Sequence, residues 1–229
     1  MVEFYEEWYK NLIQHSNEKG LLVNKIRDLL KGRVHDSCLE IGLGVYAYFA
    51  QNLLDLFDRY TIIEKRKIVT DMPNGVELIN SDWENVQLDS KFDVIIASHV
   101  VYYFKNMEVA VEKMLNSLKD GGRIYFVVNG KESDYGPIKL AFAEMIGVPY
   151  EFTYDALYKI LKGKRVREYT TQASLSFKDH EELYNVLKLS FDMFPKEYVK
   201  NKIKVIEWLR DNIKGDKFFI DQKIIEVSK

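Results

Sequence analysis

The sequence predicts a doubly wound α/β fold: a mostly parallel sheet with an antiparallel final strand, a helical lid before it and a helical insertion near its end. Three observations predict it. Short apolar runs at 37–41, 60–64 and 92–97 alternate with stretches of helical spacing, and parallel strands need such crossovers because they are buried on both faces. Gly42-Leu43-Gly44 breaks the chain sharply between the first of these runs and a helical pattern. Two late runs, 167–177 and 217–227, flank the helical pattern of 179–213, as expected of an antiparallel pair carrying an inserted cap.

Each element follows from its periodicity. Phe4, Trp8, Leu12 and Ile13 share one helical stripe and Leu22, Val23, Ile26, Leu29 and Leu30 another, which predicts two helices separated near 16–20. Ser37 to Ile41 reads as a strand, 46–57 as a helix, 60–64 as a β-branched strand ending in Glu64, and 75–79 as a weaker strand. Phe92 to Ala97 is the strongest strand; Met107 to Leu118 is a helix closed by Lys119-Asp120-Gly121-Gly122, and 123–128 is the next strand. Glycine after the last helical residue is the expected stop. Beyond Asn129 the pattern predicts helices at 136–145, 154–161, 179–189 and 195–213, with strands at 167–177 and 217–227. The whole reads as one domain over 1–229, with a lid at 1–31, a core at 36–128 and a C-terminal half at 129–229 that carries the cap near 179–213.

Composition narrows the function. With 229 residues, 47% of them hydrophobic, the chain has ample apolar surface to fold. Lys+Arg 33 against Asp+Glu 35 gives a net charge of −2, so no basic field draws in nucleic acid. Cys38 is the only cysteine, which excludes an intrachain disulfide and a thiolate zinc site within one chain. His15, His35 and His180 lack ligand spacing, and no metal is expected. No apolar run approaches the roughly 20 residues that span a bilayer, and the acidic start is unlike a secretory signal. A cytoplasmic protein without a membrane partner is the expectation.

The glycine turn carries the chemistry. Glycines at a strand-to-helix turn let a ligand approach the backbone and aim amide N–H groups at it; a branched Cβ at Gly42 would fill that ground. Glu64 ends the second strand 20 residues after Gly44, a spacing at which a carboxylate accepts the hydroxyls of an adenosine ribose. Glu40 lies two residues before the first glycine, where its charge would repel the pyrophosphate of a dinucleotide.

Glu40-Ile41-Gly42-Leu43-Gly44 resembles the first motif, acid-x-Gly-x-Gly, of the class I S-adenosylmethionine-dependent methyltransferases. Ser81-Asp82-Trp83, Phe92 to Tyr103 and Leu118 to Arg123 resemble later motifs of that family, in order. The Ser98-His99-Val100-Val101-Tyr102-Tyr103 run also resembles the histamine N-methyltransferase-like branch of small-molecule enzymes. The chain departs from the family at Tyr46, where a third glycine is common, and at Asp120, where proline is usual. The resemblance implies a Rossmann-like methyltransferase fold and S-adenosylmethionine as cofactor, with S-adenosylhomocysteine as product. It implies a cofactor site of Glu40, Gly42, Leu43, Gly44, Glu64, Lys65, Asp82, Trp83 and Ser98, in which Asp82 reaches the adenine amino group and Trp83 lies against the ring.

His99 is the candidate for proton handling, because imidazole titrates near neutrality and the position follows the fourth strand. Tyr5, Trp8 and Tyr9, with Tyr102 and Tyr103, are candidates for an aromatic cage around a small-molecule acceptor; the same helical spacing fits plain core packing, and the sequence leaves both open. The charge run Lys65-Arg66-Lys67 reads most simply as a solvated face. The function expected is methyl transfer to nitrogen or oxygen of a small molecule. An NAD(P)-dependent oxidoreductase is the alternative, since Gly42, Gly44 and Ala47 also fit Gly-x-Gly-x-x-Ala. A catalytically silent methyltransferase-like binding subunit is a third reading.

Overall fold

A computed structural model describes the backbone of residues 2–32, 34–44, 46–67 and 72–229, and their side chains from Glu6 onward. In chain order the elements are α1 (Val2–His15), α2 (Glu18–Leu30), β1 (His35–Ile41), α3 (Tyr48–Leu53), β2 (Phe57–Ile63), β3 (Val76–Ile79), β4 (Phe92–Ser98), α4 (Met107–Asn116), β5 (Leu118–Asn129), α5 (Tyr135–Ile146), α6 (Thr153–Ile160), β6 (Arg165–Ser176), α7 (His180–Val186), α8 (Pro195–Lys200), α9 (Lys202–Asn212) and β7 (Lys217–Ser228). The seven strands are ordered β3-β2-β1-β4-β5-β7-β6. They are parallel from β3 through β5 and antiparallel at β5–β7 and β7–β6. Order reverses between β1 and β4, and in such sheets ligands bind outside the carboxyl ends of the strands at that point.

Two compact units share the chain. One comprises Val23–Val128, Thr153–Thr170 and Lys223–Lys229, and the other Met1–Leu22, Asn129–Phe152 and Thr171–Gln222. In the first, β1 and β4 are buried along most of their length: Leu39, Ile41, Ile95 and Ala97 enter one core with Trp83, Met114, Ile124 and Phe126. Asn106 starts α4 by accepting the Val109 N–H at 3.0 Å, satisfying a donor the helix leaves open. The second unit has a core of its own around Tyr198. Its ring stacks on Tyr184 at 4.7 Å and on Phe191 at 4.4 Å, and Tyr198 Oη donates to the Tyr184 carbonyl at 3.0 Å. Within this unit α1 packs against α7, and Asn17 ties the α1–α2 junction to β6 by accepting the Ser174 N–H at 2.8 Å.

Several boundaries depart from the sequence expectation. The first helical break falls at 16–17, so Gly20 lies inside α2. The helix expected over 46–57 is shorter, because Ala47 takes a left-handed conformation before α3 and Phe57 is already extended. The helix expected over 195–213 divides at Asn201 into α8 and α9. β5 begins five residues early: Leu118 pairs with Phe92, and the Asp120-Gly121-Gly122 turn is accommodated as an irregularity in the ladder.

That turn needs glycine. A Cβ at Gly122 would lie 2.9 Å from the Lys119 oxygen, 3.0 Å from that of Phe92 and 3.1 Å from that of Asp93. Backbone cannot yield as a side-chain tip can, so Gly122→Ala is expected to destabilise the protein by about 1–3 kcal/mol in chemical denaturation. A change below about 0.5 kcal/mol would contradict this packing.

Candidate functional site

The turn after β1 is built from unusual backbone. Gly42, Gly44 and Ala47 all have positive φ, at 81°, 71° and 48°, a region that costs residues with a Cβ about 1–2 kcal/mol. The Gly42 N–H donates to the Ile63 carbonyl at 2.9 Å, which fixes the turn to the end of β2. The space above Gly42 is not open ground for a ligand, as the sequence reading had it. A Cβ there would lie 2.9 Å from Cγ2 and 3.3 Å from Cβ of Val100. Gly42 therefore lets the segment after β4 close onto the end of β1.

Glu64 stands next to this turn and is almost wholly buried, at 4% exposure. Its Oε2 accepts the Leu43 N–H at 3.0 Å and Nη2 of Arg66 at 3.0 Å. Oε1 accepts the Arg66 N–H at 2.9 Å and Arg66 Nε at 3.0 Å. Nη2 of Arg66 also donates to the Gly44 carbonyl at 2.8 Å. Burial pushes the Glu64 carboxyl upward, but the hydrogen bonds from Arg66, the Arg66 charge and the Leu43 amide outweigh it and hold the group below the ordinary carboxylate value. Asn80 Nδ2 braces the segment from behind by donating to the carbonyls of Glu64 and Arg66, each at 2.8 Å.

Glu40 lies within the sheet, at 1% exposure, and accepts Tyr60 Oη at 2.8 Å. Burial, and then the Glu40 charge, push both the Tyr60 phenol and the Cys38 thiol well above their ordinary values. Glu40 is thus a buried acid two residues before the glycine turn, and its neighbours Cys38 and Tyr60 on β1 and β2 stay protonated.

The segment after β4 supplies the next group. His99 is a non-glycine residue with positive φ, 52°. Its N–H donates to the Val127 carbonyl at 2.9 Å and its Nε2 is shielded from solvent. Strained backbone of this kind collects at functional sites. Ser98 Oγ is buried with no hydrogen-bond partner among the described residues. Tyr102 and Tyr103 form a tilted pair with centroids 4.5 Å apart, and Lys65 Nζ lies 5.8 Å from the Tyr103 centroid, so the segments after β2 and β4 meet.

Other candidates sit differently. Asp82 turns the chain back by accepting the Glu84 N–H at 3.2 Å. Trp83 is core at 2% exposure; its indole N–H donates to the Ala110 carbonyl at 3.1 Å, and Lys113 Nζ lies 4.6 Å from a ring centroid. Trp8 and Tyr9 belong to the other unit: Trp8 is buried, and Lys19 Nζ lies 5.9 Å from the Tyr9 ring. The side chain of Tyr5 lies outside the described residues. Sequence reasoning missed Tyr60, Asn80, Val100 and above all Arg66. The run Lys65-Arg66-Lys67 was expected to be a solvated face, yet the Arg66 side chain is only 26% exposed and bonded to Glu64. The one signal was its place, two residues after the acid that ends β2.

A doubly wound sheet, a glycine turn at its switch point and a buried acid ending β2 define a nucleoside-binding class of α/β protein. Comparison with known proteins makes the class specific. Residues 5–185 match the family model of the methyltransferase domain. The chain belongs to that family, the class I S-adenosylmethionine-dependent methyltransferases, whose cofactor is S-adenosylmethionine. It is 22% identical over 212 residues to malonyl-acyl-carrier-protein O-methyltransferase of Calditerrivibrio nitroreducens, covering 92% of this chain and 80% of that one. Among solved structures, the N-methyltransferase NodS of Bradyrhizobium japonicum, in complex with S-adenosylhomocysteine, is similar with TM-score 0.53 and 15% identity, covering 97% of this chain and 98% of that one. An S-adenosylmethionine-dependent methyltransferase of Thermotoga maritima matches with TM-score 0.59 and 15% identity, over 100% of this chain and 96% of that one. No helix among the described residues is long and apolar enough to cross a membrane.

The contact between Gly42 and Val100 gives a test. Gly42→Ala is expected to destabilise the protein by about 2 kcal/mol, from strained φ and the clash together. Adding Val100→Ala should recover part of that loss, because the nearest atom, Cγ2, is removed. A double variant whose loss is the sum of the two single losses, measured by denaturation, would contradict the contact.

Proposed function

We propose that this enzyme transfers the methyl group of S-adenosylmethionine to nitrogen or oxygen of a small-molecule acceptor. The observation that carries the cofactor half is Glu64, a buried and ionised carboxylate fixed beside the glycine turn at the carboxyl end of β2. The residues fit the cofactor. Glu64 would accept the ribose hydroxyls, and the unpartnered, buried Ser98 Oγ leaves a polar group of the same strand ends available to a ligand. Asp82 has a carboxylate near the end of β3 for the adenine amino group, with Trp83 behind it. An ionised Glu40 carboxylate, two residues before Gly42, would supply negative potential at the turn, suited to a ligand that is cationic at sulfur and at its amino group.

When bound, S-adenosylmethionine supplies a methyl group made electrophilic by the sulfonium. What remains for the protein is to align an acceptor, exclude water and accept a proton where the acceptor carries one. In this reading His99 takes that proton. Its strained backbone holds the imidazole at the carboxyl end of β4, one residue beyond Ser98. Tyr102 and Tyr103 offer aromatic surface to the acceptor from the following turn. The relatives act at different atoms, one being named as an O-methyltransferase and another as an N-methyltransferase; both atoms therefore stay within the proposal.

Calorimetry with S-adenosylhomocysteine and with NADH tests the cofactor reading, and binding of the first alone is expected. Glu64→Ala should weaken S-adenosylhomocysteine by about ten- to a hundredfold, since charged hydrogen bonds contribute roughly 1.5–3 kcal/mol. Unchanged affinity in a folded variant would remove Glu64 from the site. For His99 the informative variant is His99→Asn, because asparagine tolerates the left-handed backbone. Turnover with an accepted substrate is expected to fall by about a hundredfold or more while S-adenosylhomocysteine affinity holds; undiminished turnover would dismiss the imidazole as base.

A further inference from the structure

Glu64 has no acceptor position to spare. An ionised carboxylate offers about four lone-pair sites, two on each oxygen, and four donors of the protein reach it. Two are backbone amides, Leu43 N–H on Oε2 and Arg66 N–H on Oε1. The other two come from one guanidinium, Nη2 on Oε2 and Nε on Oε1, each at 3.0 Å. The amides are held by the turn and by the chain after β2. The guanidinium arrives on a long side chain that is partly exposed to solvent.

If the Arg66 side chain swings away, one acceptor position opens on each oxygen of Glu64. That pair of positions is what two vicinal hydroxyls of a ribose require. A guanidinium fork and a cis-diol are comparable donors: one presents two N–H groups from a single carbon and the other two O–H groups from adjacent carbons, in each case to the two oxygens of one carboxylate. Nη2 also caps the Gly44 carbonyl at 2.8 Å, so the arm runs from Glu64 to the second glycine of the turn. We propose that Arg66 is an internal substitute for the cofactor's ribose, filling the diol position of Glu64 in the unliganded chain and leaving it when cofactor binds. This deepens, and rests on, the reading of Glu64 as the ribose acceptor.

Two consequences follow from mass action. The buried carboxylate is never left with only two of its four partners, so the empty enzyme avoids the cost of an under-solvated anion. Cofactor and product must each displace the same arm, so both bind more weakly than they would to an open site, by the same factor. Return of Arg66 to Glu64 then favours release of S-adenosylhomocysteine, which shares the ribose of the cofactor.

The experiment is calorimetry and thermal unfolding of wild type, Arg66→Ala and Arg66→Lys with S-adenosylhomocysteine as probe. Arg66→Ala is expected to bind about tenfold tighter, to melt lower than wild type when empty, and to recover that difference when saturated. Arg66→Lys, which keeps the charge without the fork, should fall between. Equal or weaker binding in a folded Arg66→Ala variant, with wild type binding normally, overturns the substitution and leaves the cofactor reading standing. Failure of wild type and variants alike to bind the probe overturns the cofactor reading itself. Should the alanine variant not fold, the Arg66 Nε–H resonance of wild type decides: it should shift on saturation with S-adenosylhomocysteine, and an unmoved resonance overturns the proposal.

Discussion

A carboxylate withdrawn from water is costly unless donors surround it, and the site is organised around meeting that requirement at Glu64. The Leu43 amide reaches it only because Gly42 and Gly44 bend the chain through positive φ directly after β1. Arg66 reaches it across the bend that follows β2, which Asn80 pins through the carbonyls of Glu64 and Arg66. Val100, in the segment after β4, closes over Gly42, where a Cβ would collide with it. Three neighbouring strand ends are thereby fixed with respect to one anion, and the charge that would otherwise oppose folding becomes the point from which the turn is built.

The parallel strands were legible in the sequence for a physical reason. β4 is covered on both faces, so Val94 to Ala97 appears as an apolar run that a surface segment would not carry, and β1 shows the same burial with Glu40 as its one acid among buried residues. β2 was read only from Tyr60 because Asp58 and Arg59 occupy its first turns in exposed positions, and their charge hides a backbone already paired with β1. The division between α8 and α9 was not legible: Lys200-Asn201-Lys202 contains neither proline nor a glycine stop. What fixes α8 is Tyr198, held in the stack with Tyr184 and Phe191, and a contact of that kind leaves no local mark.

The site divides in the same way. Glu64, the glycine turn and His99 could be placed at strand ends from the sequence because those positions follow from spacing along the chain. The partners that set their behaviour were not, because each comes from another element. Gly42 announces a need for space but not that Val100 fills it, and Glu40 announces an acid but not that Tyr60 donates to it. Arg66 was hidden for a different reason: between two lysines it looks like solvated charge, and only the bend after β2 brings its guanidinium onto Glu64.

The central claim is that Glu64 is ionised and fully bonded in the empty protein, and the titration of its carboxyl measures this directly. Carbon-13 NMR of glutamate-labelled protein, with the Glu64 signal assigned by Glu64→Gln, follows that one group as pH falls. A carboxyl held below its ordinary value stabilises the fold above that value and loses the contribution as pH drops through the folded-state midpoint. The account predicts a midpoint below the ordinary glutamate value in the unliganded wild type, moving upward in Arg66→Ala. A wild-type midpoint at or above the ordinary value would mean that burial dominates and that the donors around Glu64 do not hold it as described.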